Sequence, residues 1–377
     1  MWREIQGIAM LSGTILGVGI FSLPYLLHAV GLIPMFGLFA VLAGLILFLQ
    51  RAVGHMVANT EGTHLIPGYI GKFLGSGGKF LSFFTSLFGL LFAMVAYLIV
   101  GGVFLADLFQ NSIEISPIWW AGVMFILGGY FILRGARTVA RVELLFLGLF
   151  LILFLLLGAF GFSAFDASRL PATFVDNPFL AFGGILFAMW GMAVIPELKR
   201  ILGSDEKRIK RVITISFLLT LFMSISFMVL IAGITGTETT DDSLTGLQGI
   251  LDSKVISLVF IFGFIAVFTS YMSLGVTLRD AMHYDFHIPW SASFLIAAVL
   301  PFFLYFLGIT SLIGVISLSG IIFLAAEGVL LSLTLIRYYG EHRGRFMHFQ
   351  QFLLVVIMVA LLIGASLALR DYMSMDV

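Results

Sequence analysis

The residues best placed to do chemistry in this chain are ones that disrupt a helix. The stretch SGTILGVGIFSLP, Ser12 to Pro24, carries Gly13, Gly17, Gly19 and Pro24 inside the first long apolar run. A second run, FAMWGMAVIPELKR from Phe187 to Arg200, places Gly191 five residues before Pro196, the spacing that also separates Gly19 from Pro24. Glycine and proline weaken a helix, and in hydrocarbon an unmade backbone hydrogen bond is costly. A helix broken there frees N–H groups at the start of one half and C=O groups at the end of the other, so the gap can hold an anion and a cation together. An amino acid zwitterion needs both. Neither break has a Lys, Arg, Asp or Glu at its centre, so backbone dipoles would do the recognising. Gly13 and Gly17 also form a G-x-x-x-G pair of the kind that packs helices closely; the matching break in the second run is what points past packing to a binding site.

Two carboxylates complete the set. Glu327, in SGIIFLAAEGVLL, is the charged residue nearest the middle of any apolar run. Ionised and facing lipid it would be costly, so it is expected to face the interior, either as a titrating proton carrier or as a neutral acid bonded to a neighbouring carbonyl. Glu197, at the end of the second broken run, is expected to pair with Arg or Lys residues of a gate.

The elements that must position these residues are membrane helices. Of 377 residues 60% are hydrophobic and 11% charged, 40 are Phe, and the formal net charge is zero. The mean hydropathy is +1.13. Soluble domains sit far from this composition. Nothing in the charge pattern suggests a nucleic-acid partner. Without cysteine there are no disulfides and no thiolate metal sites. The first apolar run is too long for a cleavable signal peptide and reads as a spanning helix.

Runs long enough to cross about 30 Å of hydrocarbon fall at 5–29, 33–57, 79–107, 117–135, 141–163, 178–199, 211–234, 255–280, 291–308, 310–336 and 347–369, which makes an all-α polytopic membrane protein with eleven transmembrane helices, the first and sixth broken. With the N-terminus cytoplasmic and the C-terminus outside, seventeen of the twenty Lys and Arg residues fall on inside loops and three, Arg169, Lys254 and Arg370, outside. The outside segment GTETTDDSLTGLQGILDS has an amphipathic look consistent with a small surface helix. Five helices separate the two breaks, an odd number, so the second unit enters the membrane from the opposite side. The expected plan is a 5+5 inverted repeat, 1–163 and 178–336, with one extra helix at 347–369. Interrupted helices at matching places in inverted halves mark a transporter binding site near the bilayer midplane.

Other classes fit less well. Intramembrane hydrolases need paired catalytic groups at depth, whereas all seven histidines lie near span ends and no pair of buried acids occurs. An enzyme is therefore not expected, and neither a pore-like ring of charge nor a re-entrant filter suggests a channel. A substrate sensor on the same fold would look identical in sequence.

The motifs GTILGVGIFSLP, AYLIVGG, FAMWGMAVIPELKR followed by DEKRIKRVI, and SLGVTLRD resemble the hydroxy/aromatic amino acid permease family. That family belongs to the amino acid and auxin permeases, within the superfamily that shares the fold of the sodium-coupled leucine transporter. The resemblance implies uptake of an amino acid, neutral or aromatic, across a prokaryotic plasma membrane by alternating access; a monomer is expected. It places the backbone of Thr14, Gly17, Val18 and Gly19 around the substrate carboxylate, with Phe187, Ala188 and Trp190 facing the amino group and side chain and Tyr97 lining the site. Trp190 departs from the family, where histidine or a small or polar residue is common.

In sodium-coupled members of the superfamily, a pattern like AVFTSYMS in the eighth span supplies ion ligands. Carried onto this chain, the resemblance implies a sodium site of carbonyls from Gly13, Leu16 and Ala266 with hydroxyls from Thr269 and Ser270, five oxygens suited to a hard cation. An alignment on LGVT instead brings Tyr271 and Ser273 into question, and the hydroxyls could simply bond back to carbonyls of their own helix. Some proton-coupled relatives use a lysine of the fifth span in place of sodium; RVELLFLGLFLILFLLLG has none. No other cofactor is expected, and Glu327 stands as the alternative, proton-coupling group.

Overall fold

The structure, a computed structural model, describes residues 2–62, 64–110, 112–171, 177–341 and 347–374. Arg343 and Arg345, which entered the count of inside charges, and His342 lie outside the described residues. The described chain is helical throughout, with no strand. Its first half comprises α1 (Trp2–Ile15), α2 (Gly19–Val30), α3 (Leu32–Asn59), α4 (Ile66–Phe109), α5 (Pro117–Arg134) and α6 (Ala136–Gly161). The second comprises α7 (Ala181–Met189), α8 (Ile195–Leu202), α9 (Glu206–Thr235), α10 (Ser253–Asp280), α11 (Trp290–Phe294), α12 (Leu300–Phe306), α13 (Leu312–Leu318), α14 (Ala325–Glu341) and α15 (Met347–Met373). Among the described residues eight helices are long and apolar enough to cross a membrane, or nine when α1 and α2, bent by 44° at their junction, count as one passage. Two shorter apolar helices, Gly148–Ala164 and Trp290–Phe306, fall below that length.

Contacts between loops sort the ends of these helices onto two faces. On the face that carries the N-terminus, Glu4 lies 3.7 Å from both Arg208 and Arg211, and His55 is 3.0 Å from Glu206. There too the Lys199 ammonium donates to the carbonyls of Thr60 and Gly62, and Lys79 donates to the carbonyl of Asp285. On the far face the Thr245 hydroxyl donates to Asp107 at 2.8 Å, Arg169 to the carbonyl of Ile234, and the Phe179 amide to Asp371 at 3.1 Å. At the centre, α1, α2 and α3 pack against α9, α2 lies on α7, and α10 packs against α4, α5 and α6.

Two expectations need correction. The helix expected over 79–107 begins at Ile66: a short helix runs to Gly75, whose φ of 76° turns the chain before the long segment continues. Only glycine takes that conformation without strain, and the short piece is amphipathic enough to escape a search for spanning runs. The outside segment after α9 forms no surface helix. It makes single 3-10 turns at Gly236–Glu238 and Thr245–Leu247, with Leu244 and Leu247 fully buried. Asp242 organises it by accepting from the Thr240 hydroxyl and from the amides of Leu244 and Thr245, which replaces helical hydrogen bonds with a side-chain turn. The Ser243 hydroxyl donates to the carbonyl of Phe21, so the segment caps the interior.

Candidate substrate and ion site at two broken helices

The first break is Leu16–Val18, between α1 and α2. Among the described residues the amides of Gly17 and Gly19 donate to no backbone carbonyl outside the helices, while Ile20 and Phe21 close a tight turn onto the carbonyls of Gly17 and Val18. The Tyr97 hydroxyl fills the space beside Gly17, where a Cβ would stand 2.1 Å from it. That hydroxyl also bonds with the Ser270 side chain and the Val18 backbone. Pro24 sits inside α2 and supplies no N–H to the turn before it.

The second break lies between α7 and α8. Trp190 is extended (φ −82°, ψ 111°), Gly191 has φ −121° and ψ 15°, and a 3-10 turn at Met192–Val194 follows. Pro196 is not the disruptor that its spacing suggested: it occupies the first turn of α8, where its missing N–H costs nothing. The two breaks therefore correspond in place but differ in the role of their prolines. They meet directly, since a Cβ on Gly19 would stand 2.6 Å from the Cα of Ala188, and one on Gly191 would meet Ile15 and Leu11 at 2.9 Å.

A cavity of about 60 Å³ opens where they meet, room for a few water molecules. Of the residues expected to bind substrate, Thr14, Gly17, Gly19, Tyr97, Phe187 and Trp190 line it. Val18 and Ala188 pack behind the wall. The cavity extends past Leu65, Ile66 and Pro67 at the start of α4 and Ala281 after α10, toward the N-terminal face. On the far-face side of Gly19, Phe21 is buried in edge-to-face contact with Phe104, Phe227 and Phe262 at centroid distances of 5.1, 5.5 and 6.2 Å.

Glu327 lines the same cavity and is the one charged group among its lining residues. It follows a π-helical turn at Ser319–Leu324, an irregularity of the kind that marks functional positions. Its partners are donors rather than the carbonyl considered from sequence: the Ser86 hydroxyl to Oε1 and the Trp190 indole N–H to Oε2, each at 2.7 Å. This gives Trp190, the residue that departs from the family pattern, a physical role in the break. Glu197 lies elsewhere, paired with Arg200 at 2.8 Å.

The five residues of the expected ion site also come together. Gly13, Leu16, Ala266 and Thr269 line a second small cavity of about 20 Å³, walled by Phe146, Phe150 and Ile265. The Ser270 hydroxyl donates to the carbonyls of Gly13 (2.7 Å) and Ala266 (3.1 Å), bridging α10 to α1. Thr269 donates to the carbonyls of Ile265 and Ala266 at 3.0 and 3.1 Å. No cluster of three or more His, Cys, Asp or Glu side chains suited to a metal exists among the described residues.

Two contributors escaped the sequence. Gln50, fully buried on α3, donates to the carbonyl of Met189, which the second break frees from α7. Ser86 anchors Glu327. A glutamine inside the apolar run LFLQRAVG was the available signal for the first; a lone serine in a membrane helix gives none.

The family comparison matches the model of the tryptophan/tyrosine permease family over residues 3–291. The chain belongs to that family. It is a permease, and so a transporter rather than an enzyme. No curated protein sequence matches it. Among solved structures the permease is similar to MhsT in complex with L-phenylalanine, with a TM-score of 0.73 at 13% identity over 97% of this chain and 98% of that one. It is also similar to the manganese transporter of Eremococcus coleocola (TM-score 0.69, 13% identity, 95% of this chain and 85% of that one). A third is Mhp1, a nucleobase-cation-symport-1 family transporter (0.64, 12%, 99% and 92%). At these identities the likeness establishes the permease's fold, the leucine-transporter-like arrangement expected from the sequence.

Proposed function

We propose that this permease takes up an aromatic amino acid together with a sodium ion by alternating access. The observation that carries the reading is the meeting of two broken helices at one cavity. The free amides of Gly17 and Gly19 suit a carboxylate, and the carbonyls that end α7 suit an ammonium. Family membership and the similarity to MhsT, which binds L-phenylalanine, support an aromatic side chain.

The carbonyls of Gly13, Leu16 and Ala266 and the hydroxyls of Thr269 and Ser270 fit sodium by donor type and number. Bound there, sodium would supply positive charge at the end of α1. The chain's own residues then couple the sites: Gly13 and Leu16 face the ion pocket while Thr14, Ile15 and Gly17, interleaved with them on the same stretch, face the substrate cavity, so ordering one orders the other. We further infer that the two shorter apolar helices cross as well, giving eleven spans in inverted halves, 1–163 and 178–336, with 347–369 appended. The basic N-terminal face is then cytoplasmic, the membrane a prokaryotic plasma membrane, the working unit a monomer and the present state inward-facing.

Uptake by purified protein in liposomes, with sodium and pH gradients imposed separately, tests this. Sodium-driven accumulation of an aromatic amino acid is expected; a protein that binds but never moves its ligand is a sensor. Proton coupling through Glu327 is the second reading, favoured by its burial at the cavity. In that case uptake follows the pH gradient, and Glu327→Gln abolishes that dependence.

A further inference from the structure

The inner surface of α4 that lines the cavity runs from Tyr97, against Gly17, through Ala93, Leu90 and Gly89 to Ser86, against Glu327. These residues recur at helical spacing and cover about 16 Å at 1.5 Å per residue. One end offers free backbone amides and the other a buried carboxylate, with apolar side chains between, among them Phe187 and Leu324. Among the described residues Glu327 has no cationic partner. Each of its oxygens has two lone pairs and meets one donor, so each can accept another.

We propose that Glu327 is a specificity-determining residue: it accepts the hydrogen-bond donor at the edge of the substrate's ring, an indole N–H or a phenol O–H, and thereby separates donor-bearing aromatic amino acids from phenylalanine. The inference rests on the reading of the chain as an aromatic amino acid permease. Within the protein the same carboxylate already holds an indole, since Trp190 Nε1 lies 2.7 Å from Oε2. Trp190 remains in place as wall while the substrate approaches the remaining lone pairs. An unsubstituted benzene ring in the cavity displaces water from the carboxylate and returns no hydrogen bond, which is the arrangement that discriminates most strongly against an analogue lacking its donor.

The test measures equilibrium binding and liposome uptake of L-tryptophan, 1-methyl-L-tryptophan, L-tyrosine and L-phenylalanine by the wild-type chain and by Glu327→Gln. Glutamine keeps the volume, an acceptor for Trp190 and a partner for Ser86, but removes the charge and one acceptor. The wild type is expected to prefer tryptophan over its N-methyl derivative, and tyrosine over phenylalanine, by about tenfold or more. In the variant both ratios fall toward one. Equal wild-type affinity for tyrosine and phenylalanine overturns the proposal, as does an equal loss of all four ligands in the variant, which assigns Glu327 to coupling or folding. Absence of binding and uptake of every amino acid by the wild type overturns instead the permease reading on which it rests.

Discussion

Gly19 and Ala188 bring the two broken helices into backbone contact: a Cβ on Gly19 would lie 2.6 Å from the Ala188 Cα and 3.0 Å from its amide nitrogen. Backbone cannot move aside as a flexible side chain can. Gly19→Ala should push α2 and α7 apart, with an overpacking cost of about 1–3 kcal/mol. The expected outcome is a folded protein that has lost substrate binding, read by thermal unfolding beside equilibrium binding. Unchanged binding would show that the contact does not shape the site.

Tyr97 should act through its hydroxyl. Its ring and hydroxyl fill the space left by the missing side chain of Gly17, and the hydroxyl joins Ser270 to the Val18 backbone. Tyr97→Phe keeps the packing and removes the link, so substrate affinity should fall about tenfold, the scale of one buried hydrogen bond. Because Ser270 also holds the Gly13 carbonyl, sodium dependence should shift in the same variant.

Thr269→Ala and Ser270→Ala each remove one hydroxyl from the proposed ion site. The sodium concentration for half-maximal uptake should rise by about tenfold or more in each, with uptake partly restored at high sodium. Potassium should not substitute. Identical sodium curves for the wild type and both variants would remove the site.

Asp241 gives the cap on the far face a pH dependence. Asp241 is exposed at the edge of this segment, and partial loss of hydration there, reinforced by the charge of Asp242, raises its carboxyl above the ordinary 3.8. A raised carboxyl favours the folded cap when protonated; that contribution is complete below 3.8 and is lost as the pH rises through the raised value. Melting temperature should therefore gain less between pH 4 and pH 7 in the wild type than in Asp241→Asn, whose amide does not titrate. Parallel pH profiles would contradict this.

Helix positions were legible because hydrocarbon thickness fixes the length of an apolar run, and most expected bounds match the observed helices within a few residues. The break at Leu16–Val18 was legible for a different reason: three glycines within seven residues leave a membrane helix few ways to stay intact. Pro196 misled because spacing does not reveal whether a proline interrupts a helix or begins one. The segment from Gly236 to Asp252 misled because two leucines three apart serve a 3-10 turn as well as a helix. Ser86 and Gln50 lay beyond reach, since their significance comes from Glu327 and Met189, 241 and 139 residues away in sequence.

The Phe21, Phe104, Phe227 and Phe262 cluster lies on the far-face side of the two breaks with rings that no solvent reaches. Opening that side hydrates their faces, and hydration of apolar surface carries a positive heat capacity. The balance between the two openings is thus curved in temperature. Cooling weakens the hold of the aromatic cluster and shifts the permease toward the population open on the far face, so an Arrhenius plot of its turnover should bend without any change of ligand.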